Sequence, residues 1–127
     1  MDTDQNGSFS SRAEEITHMI IRAGMKQNHA RVLVFLYFNS DQTSRDIERG
    51  TSLRQPEVSI GINHLMSQGW AQVASQITEN KGRPVKLYRL CTTVNAILDD
   101  IEIEKKDEFQ SQLDLIEKIR RLIHESE

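Results

Sequence analysis

Residues 43 to 69 read TSRDIERGTSLRQPEVSIGINHLMSQG. Thr43 and Asp46 have the spacing at which a hydroxyl takes the amide of the third helical residue and a carboxylate reaches back to the cap, which opens a short helix over SRDIER. Gly50 stands where left-handed backbone closes such a helix. A few residues later Pro56, whose fixed φ suits a first turn, announces a longer helix that carries Val58, Ile62, Leu65 and Met66 and stops at Gly69. Short helix, tight turn and longer helix make the helix-turn-helix pattern.

Upstream, residues 1 to 10 lack apolar periodicity and read as a mobile tail. Ser11 and Glu14 repeat the capping spacing at the start of a helix to about Gly24, with Ile16, Met19, Ile20 and Ala23 on one face. Asn28 or His29 then opens a second helix, ARVLVFLYF, which is apolar around most of its circumference and belongs at the centre of a core ending near Asn39. Downstream of Gly69 the period changes from helical to extended: WAQVASQIT is a strand, NKGRP a turn and VKLYRL a second strand. Thr92 or Thr93 caps a last helix, in which Val94, Leu98, Ile101, Phe109, Leu113, Ile116, Ile119 and Ile123 step by threes and fours. Only the polar stretch Glu104 to Glu108 interrupts them. That helix extends roughly 45 Å, longer than so small a module covers by itself.

The chain has 127 residues, 37% of them apolar and 28% charged, a composition that suits one globular domain with an appended element. Its longest apolar run, Val32 to Phe38, is far short of the roughly 20 residues that cross a bilayer. The start, MDTDQNGSFSS, is acidic and polar where a secretory signal is basic and then apolar. A single cysteine, Cys91, forms no internal disulfide and supplies no paired metal site, which fits a reducing compartment. A cytoplasmic protein without a membrane partner is therefore expected. Net charge is −3, yet it divides unevenly: residues 1 to 43 carry −1, residues 44 to 90 carry +3 and residues 91 to 127 carry −5. Association responds to the local field, so a polyanion belongs against the middle third.

Helix, helix-turn-helix and hairpin is the order of a winged helix. Residues 20 to 90, and above all the stretch AGMKQNHARVLVFLYFNSDQTSRDIERGTSLRQPEVSIGINHLMSQGWAQ, resemble the winged-helix regulators of the MarR, ArsR and archaeal TrmB classes. KGRPVKLYRL resembles the wing of the archaeal members. The resemblance implies transcriptional regulation by a DNA-binding dimer, with a helix outside the module as the dimer contact. The paired cysteines of metal-sensing members are absent.

On this reading the helix from Arg54 to Gln68 is a recognition helix. At 100° per residue Val58, Gly61, Ile62, Leu65 and Met66 fall on its inner arc. Pro56, Ser59, Ile60, Asn63 and Ser67 fall on the opposite arc, with Arg54 and Gln55 at the leading end, where such helices approach base edges. Arg suits guanine N7 and O6, Gln suits adenine N6 and N7, and Ile meets a thymine methyl. A solvated surface explains the polar residues equally well, but Ile60 pointing outward asks for a partner. Glu57 favours the helix dipole rather than DNA, and His64 is expected solvated or near a phosphate. In the wing, Lys81, Arg83 and Lys86 are the candidate contacts. Arg83 between Gly82 and Pro84 resembles the core of an AT-hook and suits a narrow A·T minor groove. Lys86 and Arg89 suit phosphates.

The four histidines lie on different elements without ligand spacing, and no nucleophile, paired-carboxylate or phosphate-loop motif occurs, so no metal, cofactor or catalytic residue is assigned. Cys91 is expected as a small buried residue. The expected architecture is mostly helical α+β: a tail at 1–10, a winged-helix DNA-binding domain at 11–92 and a C-terminal dimerisation helix at 93–127. The seam comprises Leu98, Ile101, Phe109, Leu113, Ile116, Ile119 and Ile123. The expected partners are double-stranded DNA and a second copy; the alternative is a winged helix used as a protein-interaction module within an assembly.

Overall fold

Burial of α2, Gln27–Phe38, organises the molecule: Ala30 and the run Val32 to Leu36 are all buried, so nearly the whole circumference of this helix is core. Burying a side chain such as Phe35 contributes about 1.5–3 kcal/mol. The computed structural model describes residues 9 to 78 and 82 to 127. The elements are α1 Ser11–Arg22, α2, α3 Ser44–Thr51, α4 Gln55–Ser67, β1 Ala71–Thr78, β2 Pro84–Leu90 and α5 Val94–Ser126. They form two compact units, one ending at Thr92 and the other running from Thr93 to Glu127. The fold is therefore mostly helical α+β with a two-stranded antiparallel wing and a long C-terminal helix. Among the described residues no helix is long and apolar enough to cross a membrane.

Order begins earlier than the periodicity suggests. Ser10, not Ser11, caps α1, its hydroxyl accepting from the Ala13 amide at 3.0 Å. Phe9 stacks on Phe35 with ring centroids 6.4 Å apart, which anchors the chain just before α1. The rest of the expected tail, residues 1 to 8, lies outside the described residues. With Ser10 as the cap the third helical residue is Ala13, so Glu14 falls outside the capping box and pairs instead with Arg31, at 3.2 and 3.3 Å from its two terminal nitrogens. The same guanidinium lies 4.4 Å from the Phe9 ring centre and donates from Nε to the Thr51 carbonyl. One α2 side chain thus ties α1 to the end of α3. The inner face of α1 is also turned from the expected one: Ala13 and Thr17 are buried while Met19 is 61% exposed. Thr17 can be buried because its hydroxyl donates to the Ala13 carbonyl at 2.7 Å, satisfying its polar atom within the helix.

The capping box at α3 is present in both halves, with Thr43 and Asp46 exchanging hydrogen bonds at 3.0 and 3.1 Å. The left-handed residue that ends this helix is Ser52, at φ 62°, and Gly50 is instead a buried helical residue. Thr51 makes this exit possible: its hydroxyl donates to Ile47 and accepts from the Leu53 amide. The α4 helix crosses α2 at Gly61, where a Cβ would stand 2.5 Å from Val32 Cγ2 and 2.7 Å from the Asn28 carbonyl oxygen. Glycine here permits the close crossing. Gly69, at φ 78°, then turns the chain into the wing.

Strands β1 and β2 pair from Ala71↔Leu90 to Thr78↔Pro84 with an irregularity between Val73 and Ser75. Gln42 adds a bridge to the outer side of β2, exchanging backbone hydrogen bonds with Tyr88 at 3.0 and 2.8 Å. The loop before the helix-turn-helix is in this way stitched to the wing. The α5 helix starts at Thr93, whose hydroxyl accepts from Ala96 at 3.1 Å, and continues without a break through Glu104 to Glu108.

Candidate nucleic-acid interface

Local rules set the leading end of α4. Pro56 occupies the first turn, and the Glu57 carboxylate accepts from the Arg54 amide at 2.9 Å, satisfying a donor the helix cannot satisfy itself. Val58, Gly61, Ile62 and Leu65 are buried, and this anchors the opposite side outward. Arg54, Gln55, Pro56, Ser59, Ile60 and Asn63 are all exposed, Ile60 by 52%. Met66, expected on the inner arc, is instead 39% exposed, because it lies at the arc's edge near the helix end.

Gln55 has a second occupation that its sequence position does not reveal. Its amide donates to Glu48 Oε1 at 2.9 Å and to the Ser44 carbonyl at 3.3 Å, bracing α4 against α3. Arg45, next to Ser44 and exposed, is thereby placed beside the leading end of α4, a cation that the recognition-helix pattern alone does not single out.

In the wing Gly82 has φ 75° with open space where a Cβ would be, and Arg83 and Lys86 are exposed. Lys81 lies outside the described residues. Arg54, Arg83 and Lys86 form no ion pair among the described residues. Arg89 does: its Nε is 3.0 Å from Asp41 Oδ1, and Asp41 is held in left-handed backbone at φ 59°.

Two residues differ in setting from the sequence expectation. His64 is half-buried, not solvated, with its ring stacked on His29 at 3.8 Å and 9° and edge-on to Trp70 at 5.9 Å. Histidines from separate helices meet because the close crossing at Gly61 draws α2 and α4 together. Burial, then the neighbouring His64 and Lys26, push the His29 imidazole below its ordinary range. Face-to-face stacking does not converge ring nitrogens on a common point, and the described residues contain no group of three or more metal-ligating side chains. Cys91 is exposed rather than buried, its thiol 3.2 Å from the Gly69 carbonyl, because it follows the strand end where the chain leaves the wing.

The same arrangement of helices and hairpin occurs in known structures. An archaeal chromatin protein, TrmBL2, matches with a TM-score of 0.64 at 14% identity over 88% of this chain. The fold is that of winged-helix transcriptional regulators. A possible transcriptional regulator from Methanosarcina mazei matches with a TM-score of 0.55 at 15% identity, over 84% of this chain and 89% of its own. A MarR-family regulator from Silicibacter pomeroyi matches with 0.50 at 11% identity, over 82% and 78%. The chain spans 40% of the length of TrmBL2. No protein-family model matches the sequence, and no curated protein matches it.

Proposed function

We propose that this winged helix is a sequence-specific DNA-binding transcriptional regulator acting as a homodimer, with α4 in the major groove and the wing at the minor groove. The observation that carries the reading is the division of α4 into a buried face and an exposed face that holds Ile60 among Ser59, Asn63 and the leading Arg54 and Gln55. Arg54 and Gln55 read base edges, Pro56 sets the entry of the helix, and Ser59, Ile60 and Asn63 line the groove. Lys81 and Lys86 take phosphates, and Arg83 enters the minor groove. TrmBL2, described as binding DNA, supports this reading through the fold it shares. The dimer is built on the α5 stripe of Leu98, Ile101, Phe109, Leu113, Ile116, Ile119 and Ile123, and the domain division is 11–92 for DNA binding and 93–127 for assembly.

Selection of bound duplexes from a random pool, followed by footprinting, tests it. The expected outcome is an enriched inverted repeat. Retention of duplexes without any enriched sequence would leave only charge-driven binding and overturn the reading.

A further inference from the structure

The last two-thirds of α5 carries a broad apolar face with no cover in its own unit: Phe109 is 62% exposed, Leu113 41%, Ile116 and Ile119 48% each, and Ile123 58%. Measured from Ile116, these residues stand at −7, −3, 0, +3 and +7. They share one side of the helix. The spacing is its own mirror image, and a two-fold axis at right angles to a helix pair exchanges +n with −n. We infer that a second copy of the chain packs antiparallel on this face with the axis at Ile116. Phe109 then meets the partner's Ile123, Leu113 meets the partner's Ile119, and Ile116 meets its own counterpart. This inference rests on the dimer reading above and adds the direction of the pair.

Charge decides direction, because a parallel pair in register would also bring this stripe against itself. Residues 99 to 108 carry six carboxylates and two lysines. Parallel packing lays this net −4 segment beside an identical one, and it sets Glu102 and Lys105, which continue the stripe upstream, against their own copies. Like charges placed directly opposite are destabilising. Antiparallel packing about Ile116 makes residue 105 level with residue 127 of the other helix, so neither acidic segment faces its own copy and the two are held at opposite ends of the pair. The overlap from 109 to 123 contains Asp114, Glu117, Lys118, Arg120 and Arg121, net +1, and carries no such block of like charge.

Disulfide trapping in the full-length chain, with Cys91→Ser as background, tests the direction. Phe109→Cys and Ile123→Cys variants are mixed, allowed to exchange subunits and mildly oxidised, while each is also oxidised alone. The expected result is a disulfide-linked dimer mainly in the mixture, with Ile116→Cys linking to itself. Strong linkage of Phe109→Cys to itself would establish a parallel pair and overturn the inference. A dimer by sedimentation that no pairing traps would place the seam elsewhere, overturning both this inference and the α5 seam while leaving DNA binding by a dimer standing. A monomer at all concentrations would overturn the dimer reading itself.

Discussion

Gly61 shows how one absent methyl group sets the position of a helix. With Val32 Cγ2 and the Asn28 carbonyl at 2.5 and 2.7 Å from a virtual Cβ, Gly61→Ala gains about 1 kcal/mol of helix propensity but forces α2 and α4 apart. Overpacking of this kind costs about 1–3 kcal/mol, so a net loss in chemical denaturation is expected; an unchanged or raised midpoint would show that the crossing relaxes freely. His29 yields a pH dependence with a definite sign. His64 faces it from α4, Lys26 from its own helix and Trp70 lies at the stack's edge, so the folded state disfavours its protonation. The resulting stability is complete above the unfolded value of about 6.5 and is lost as pH falls through that value toward the lower folded one. Denaturation midpoints measured from pH 8 to 5 should fall less steeply in His29→Gln than in the natural chain. Equal slopes would remove His29 as the cause.

At the scale of elements, Gln55 poses the sharpest question, because an exposed leading residue of α4 is also a brace to Glu48 and Ser44. On the proposed reading Gln55→Ala costs about 1–3 kcal/mol on the selected site and relaxes preference at one base pair per half-site, with random DNA barely affected. Equal losses on both would reduce Gln55 to a positioning residue. In the wing, Arg83→Ala should weaken binding most where the flank is A·T-rich, since the narrow groove there concentrates the potential that an Arg responds to. Titration against A·T and G·C flanks at two salt concentrations checks it, and equal losses would exclude the minor-groove role. The sequence made the helix order, the hairpin and the exposed face of α4 legible because these follow from local spacing. Ser10 in place of Ser11, the outward Met19, the ring stack of His64 and the brace on Gln55 were not legible. The brace joins α4 to α3, the ring stack joins α4 to α2, and the cap and the turned face of α1 follow from how the chain docks on α2, so no single segment's periodicity contains that information.

For the whole molecule, charge is partitioned, with +3 on the residues of the helix-turn-helix and wing and −5 on the C-terminal segment, so on the proposed reading binding to DNA is governed by where cations stand and which of them are already engaged. Arg54, Arg83 and Lys86 are unpaired among the described residues, whereas Arg89 is held by Asp41 at 3.0 Å. That ion pair gives the wing an occupant of its own, since a carboxylate presents to a guanidinium much what a phosphate presents. A duplex drawing on Arg89 must first displace it, and the exchange of one anion for another frees less counterion than contact with a bare cation. Asp41→Asn, which keeps a side chain tolerant of left-handed backbone, should therefore tighten DNA binding and steepen its salt dependence by about one unit per protomer, and an unchanged slope would show that Arg89 stays out of the contact. On the proposed reading Asp41 is a competitor already in place, a carboxylate that a phosphate of the duplex has to replace before Arg89 can join the contact.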